Sequence, residues 1–207
     1  MRKIMIGADY FPPYQYIDEK GEIQGSDYNF IKSIFDKMNY EFEFVLGDWN
    51  AIEKKFINGE IDVVFQVQKT KEREKTSYFS DKIRDAKTGI ITNSKKMSNE
   101  IQKIEDILKK KKILAVIEGY NYGDIIDSID KKYKKAYKND KGLINHLNSS
   151  EDGFAVFDIG VFNSLKDTIN KKLYIIEGLG FTRELFVMFK EKDIRDEFNK
   201  WINSVSM

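Results

Sequence analysis

The feature that most constrains this chain is its rhythm. Short apolar runs that read as strands alternate with amphipathic helical stretches along nearly the whole sequence. Residues 3–8 read as a strand, and the Phe11-Pro12-Pro13-Tyr14 loop breaks it. Residues 19–22 read as a hairpin turn. Ser26 or Asp27 is then expected to cap a helix whose apolar residues Phe30, Ile31, Ile34, Phe35 and Met38 follow helical spacing. A strand over 40–46 and a helix over 48–58 closed by Gly59 follow, and then the run 61–65, apolar apart from Asp62, which reads as a strand buried on both faces. The rhythm resumes with strands at 112–117, 135–138, 154–157, 173–176 and 184–189. Helices are expected at 121–130, 140–147, 161–170 and 193–205. The last carries Ile194, Phe198, Trp201, Ile202 and Val205 on one stripe.

Strands interleaved with helices predict an α/β architecture with parallel-rich sheets. The 207 residues suit two lobes better than one core. The expected division is 1–86 with 186–207 in one lobe and 91–181 in the other, with crossings near 87–90 and 182–185.

Charge excludes several partners. Lys+Arg 35 nearly balances Asp+Glu 34, for a net charge of +1. No long-range field draws the chain to nucleic acid or anionic lipid. There is no cysteine, so disulfides and thiol chemistry are excluded, and the single histidine, His146, builds no metal site. It reads as an ordinary surface or interlobe residue. No metal or cofactor is expected. No apolar run reaches the ~18 residues of a membrane span. No apolar leader core precedes the first strand. Composition leaves two possibilities open: a cytoplasmic protein, or an exported one whose signal or anchor lies outside this sequence.

Five stretches in register resemble the bacterial extracellular solute-binding proteins of family 3, which capture amino acids. They are Tyr10-Phe11-Pro12-Pro13-Tyr14-Gln15-Tyr16 followed by Gly25-Ser26-Asp27, then Trp49 with Gly59-Glu60-Ile61-Asp62, then Thr70-Lys71-Glu72-Arg73 with Phe79-Ser80. Ala115-Val116-Ile117-Glu118-Gly119 and Asp152-Gly153-Phe154-Ala155-Val156-Phe157-Asp158 complete the set. The resemblance implies a two-lobed periplasmic-binding-protein fold of type II with two crossover hinge strands. It also implies an extracytoplasmic, non-enzymatic protein that closes on a polar amino acid. The partner would be the permease of an ABC transporter or, alternatively, a fused signalling module that makes this a sensor domain. Some proteins of this fold resemble cyclohexadienyl or arogenate dehydratases, an alternative of another class.

Only five of the 35 basic residues are arginines. The resemblance implies that Arg73 grips the ligand carboxylate, for which its planar fork is suited. The plainer alternative is a surface arginine paired with Glu72 or Glu74. Asp158 is expected either to accept from a ligand ammonium or to cap the next helix. Tyr10, Phe11, Tyr14 and Trp49 are expected in loops at strand ends, lining the site. Asp9 would meet a basic group or cap its loop. Gln66 and Gln68 stand where the family carries a glycine and a small hydroxyl residue. Tyr120-Asn121 after Gly119 replaces the family's Thr or Ser. These departures imply a narrower, more amide-rich site.

Overall fold

The structure, a computed structural model, describes residues 3–166, 169 and 171–204. Its elements run β1 (Ile4–Asp9), β2 (Tyr16–Ile17), β3 (Ile23–Gln24), α1 (Ser26–Met38), β4 (Phe42–Gly47), α2 (Trp49–Ile57), β5 (Val63–Val67), α3 (Lys71–Glu74), β6 (Tyr78–Phe79) and β7 (Arg84–Thr92). There follow α4 (Lys95–Glu100), α5 (Ile104–Lys109), β8 (Leu114–Ile117), α6 (Asp124–Asp127), β9 (Lys134–Tyr137), α7 (Asp140–Ser149), β10 (Phe154–Asp158), α8 (Ile159–Leu165), β11 (Tyr174–Ile175), β12 (Phe181–Phe189) and α9 (Lys192–Ile202). The chain forms two compact units, Met1–Asp85 with Glu184–Met207, and Ala86–Arg183. The boundaries fall inside β7 and β12.

In the first unit β1 lies between β4 and β5, parallel to both, and β12 runs antiparallel to β5. Parallel neighbours need crossovers, which α1 and α2 supply. The apolar stripe of α1 packs with Ile4, Ile6 and Ala8 of β1 and with Val187, Phe189, Ile194 and Phe198 from the chain's end.

In the second unit β10 is parallel to β8 and antiparallel to β7, and β9 is parallel to β8. Side chains alternate between faces of a strand. Phe154 and Val156 accordingly join one core with Ile90, Leu114 and Ile126, while Ala155 and Phe157 join another with Leu143 and Leu147 of α7. A sheet covered on both faces explains why its strands read as continuous apolar runs.

Several elements differ from their sequence reading. The cap of α1 is neither Ser26 nor Asp27 but Gly25, at φ 126°. A Cβ there would lie 2.2 Å from the Tyr14 carbonyl oxygen, so the close loop crossing demands glycine. The helix expected over 121–130 shrinks to α6, because Gly123 at φ 79° breaks it. Trp49 opens α2 instead of lying in a loop. Trp201 is 36% exposed, so the stripe of α9 is Ile194, Phe198 and Ile202. Val205, Asp167, Thr168 and Asn170, assigned to helices from sequence, lie outside the described residues.

Candidate functional site

The first unit gathers its candidate residues at the carboxyl ends of β1 and β5. Phe11 pairs with Gln15 across a tight turn, and its ring stacks on Tyr14 with centroids 5.6 Å apart. Phe11 is buried and Tyr10 is exposed. Asp9 closes β1 and accepts from Gln15 Nε2 at 3.0 Å. Gln15 Oε1 accepts from Gln66 Nε2 at 2.9 Å, and Gln66 Nε2 also donates to Asp27 Oδ2. Asp27, fully buried, takes a further bond from Arg84 Nε at 2.7 Å. The Arg84 guanidinium lies 3.8 Å above the Tyr14 ring.

Gln66 is therefore committed within the unit. Its φ of 63° is left-handed, a conformation that glycine adopts without strain. The Asp62 carboxylate accepts from Met5 N at 2.8 Å, so the Gly-x-Ile-Asp motif ties the start of β5 to β1.

Arg73 projects from α3, whose first turn is capped by Thr70 Oγ1 accepting from Arg73 N at 3.3 Å. Its partner is neither Glu72 nor Glu74 but Glu53 of α2. Nε and Nη2 donate to Glu53 Oε1 at 3.1 and 2.7 Å, and Nη1 donates to the Gln68 carbonyl at 3.0 Å. Its guanidinium sits 5.1 Å from the Trp49 ring centroid. Trp49 and Glu53 are one turn apart on α2, so that helix delivers both the ring and the carboxylate. Of the five guanidinium N–H groups, three are engaged, which leaves two.

In the second unit β8 ends in a turn at Gly119, φ 77°. Tyr120 follows, its ring 6.1 Å from that of Tyr122. Asn121 Oδ1 accepts from Gly123 N at 2.9 Å, which holds the loop ahead of α6. Asp158, buried at the end of β10, caps α8: Oδ1 accepts from Gly160 N at 2.8 Å and Val161 N at 3.2 Å. Thr88 lies opposite it in register. Arg183 donates from Nε to Thr88 Oγ1 at 2.9 Å and from Nη1 to the Asn121 carbonyl at 3.3 Å. No group of three His, Cys, Asp or Glu among the described residues could hold a metal.

Gln15, Asp27, Glu53, Arg84, Thr88 and Arg183 are not among the site residues expected from the sequence. The scarcity of arginine, read at every position instead of one, would have drawn attention to Arg84 and Arg183.

A probable histidine-binding protein of Neisseria gonorrhoeae is 27% identical over 112 residues, which are 53% of this chain and 40% of that protein. The matched stretch thus spans well under two thirds of the relative's length. Among solved structures, the arginine-, lysine-, histidine-binding protein ArtJ of Geobacillus stearothermophilus superposes with a TM-score of 0.83 at 20% identity, covering 99% of this chain and 89% of that one. An ancestral arginine-binding protein bound to arginine gives 0.83 at 25% identity, with 99% and 92% covered. No helix among the described residues is long and apolar enough to cross a membrane. The model of the bacterial extracellular solute-binding proteins, family 3, matches residues 4–206, and the chain belongs to that family.

Proposed function

We propose that this protein captures a free, polar amino acid or a close analogue outside the cytoplasm and presents it to the permease of an ABC transporter, without chemical change. The observation that carries this is the setting of Arg73. Glu53, the Gln68 carbonyl and the Trp49 face fix the guanidinium while two N–H groups remain for a ligand. A fixed fork loses little rotamer freedom on binding and reads a carboxylate by geometry as well as charge. In this reading Arg73 takes the α-carboxylate and Asp158 the ammonium. Phe11, Tyr14 and Trp49 supply apolar surface, with Asp9, Tyr10, Gln68, Gly119, Tyr120 and Asn121 around them. The likeness to proteins whose names specify histidine or arginine supports an amino acid as the ligand class.

The test is a thermal-shift screen of the twenty amino acids, followed by calorimetry on each hit. A ligand that binds only the native state raises the melting temperature by mass action. At least one amino acid is expected to do so, and no shift with any of them would remove the proposal. Recovery of the hit unaltered after long incubation is the expected sign of binding without turnover.

A further inference from the structure

Three of the four described arginines are paired with a carboxylate: Arg73 with Glu53, Arg84 with Asp27 and Arg195 with Asp196. Arg183 has no carboxylate within ion-pair distance among the described residues, although it is only 8% exposed. Its hydrogen-bond partners are both neutral oxygens, Thr88 Oγ1 and the Asn121 carbonyl. Of its five N–H groups, two are thus engaged and three are not. Its unengaged nitrogen is not among the fully buried side-chain atoms that lack a partner, so it still reaches water, and a largely buried cation without a counter-charge offers such N–H groups to an anion.

The surroundings hold this guanidinium in place. The Tyr122 ring lies 5.4 Å from it, and the Tyr122 oxygen is itself fixed by Ile117 N at 2.9 Å. Thr88 stands opposite Asp158 at the carboxyl end of β10, and Asn121 lies just beyond the carboxyl end of β8. Ligands of α/β proteins bind outside the carboxyl ends of parallel strands.

A cationic side chain would seek an aromatic face backed by a carboxylate. Tyr14 offers such a face and Asp27 such a carboxylate, but the chain's own Arg84 occupies both.

We propose that Arg183 is a specificity-determining residue that receives a second carboxylate of the ligand, so that the preferred ligand is an acidic amino acid. This rests on the amino-acid reading above and names the substrate class within it. The distinction matters because the similar proteins named above carry histidine, lysine or arginine in their names.

The test is titration calorimetry of glutamate, aspartate, glutamine, arginine, lysine and histidine against wild type, Arg183→Gln and Arg183→Lys. A charge-assisted bond to a carboxylate corresponds to about 10- to 100-fold in affinity. Wild type should favour glutamate or aspartate over glutamine by that factor. Arg183→Gln should erase most of the preference and Arg183→Lys should keep part of it. If Arg183→Gln fails to fold, the Lys variant and the wild-type ranking decide. Tighter binding of arginine, lysine or histidine than of either acid overturns this inference and leaves the amino-acid reading intact. Equal loss for glutamate and glutamine in the variants also overturns it, since Arg183 would then read the α-carboxylate common to both. Binding of no amino acid overturns both readings.

Discussion

Gln66 holds a left-handed backbone at φ 63° while its amide bridges Gln15 and Asp27. Two effects of opposite sign meet at this residue. Relief of the strain on mutation to glycine is worth about 1–2 kcal/mol, reduced by the greater freedom of glycine in the unfolded chain. Losing the amide removes one neutral bond, about 1 kcal/mol, and one bond to the buried Asp27 carboxylate, about 1.5–3 kcal/mol. The bonds win, so Gln66→Gly should lower stability by about 1–2 kcal/mol in urea unfolding. An unchanged or raised midpoint would show that the amide bridge contributes little. At Arg73 the prediction concerns binding. Arg73→Lys keeps the charge but loses the fork held by Glu53, and affinity for the best ligand should fall by about 1–3 kcal/mol in calorimetry. An unchanged affinity would take Arg73 out of the site. His146 gives a pH dependence. Burial, and then the nearby Lys135, hold its pKa below the ordinary 6.5. Below that value the unfolded chain binds the proton more readily than the native one, so stability rises with pH and is lost as pH falls through about 6.5. Wild type should therefore lose more stability than His146→Gln between pH 7.5 and 5.5. Parallel losses in urea titrations would show that this histidine is not responsible.

At the scale of elements, the stripe of α9 separates burial from mere periodicity. Phe198 is fully buried between Phe35 and Phe189, with ring centroids 5.9 and 5.3 Å away. Trp201 sits on the rim, 36% exposed, under the Lys37 ammonium at 5.7 Å. Phe198→Ala should cost about 3–5 kcal/mol, whereas Trp201→Ala should cost under about 1 kcal/mol, as surface changes do. Equal effects in urea unfolding would contradict this packing. The same helix shows what the sequence made legible. Its period of 3.6 was plain, as it was for α1, α2 and α7, because each runs more than two turns. α3, α4 and α5 span only 4, 6 and 6 residues, too short for a period to show, and of the helix expected over 121–130 only the four residues of α6 form. The candidate site residues divide in the same way. Asp9, Arg73, Gly119 and Asp158 announce themselves through local motifs beside strand ends. Arg84 meets Asp27 across 57 positions of sequence and Arg183 meets Thr88 across 95. Strand alternation assigns such a residue a face but not its distant partner.

At the scale of the whole molecule, the two units differ in how they are assembled from the chain. The second is continuous, Ala86–Arg183, and its cores draw on Ile90, Leu114, Ile126, Leu143, Phe154, Phe157 and Ile176, all inside that span. The first is built from two separated segments. Its core includes Val187, Phe189, Ile194, Phe198 and Ile202, all from the C-terminal segment and all buried. Burying one such side chain is worth about 1.5–3 kcal/mol. Five of them together amount to on the order of 10 kcal/mol, the size of a typical domain's entire stability. β5 would also lose the antiparallel partner it has in β12. A fragment of residues 1–85 should therefore remain unfolded, while a fragment of residues 86–183 should fold with a cooperative urea transition. Circular dichroism and amide chemical-shift dispersion on the two fragments measure this directly. Mixing 1–85 with a peptide of residues 184–207 should restore helical signal if the missing core is the cause. A cooperative transition in 1–85 alone would mean that its own strands suffice. An unfolded 86–183 would mean that the second unit draws stability from outside its own core.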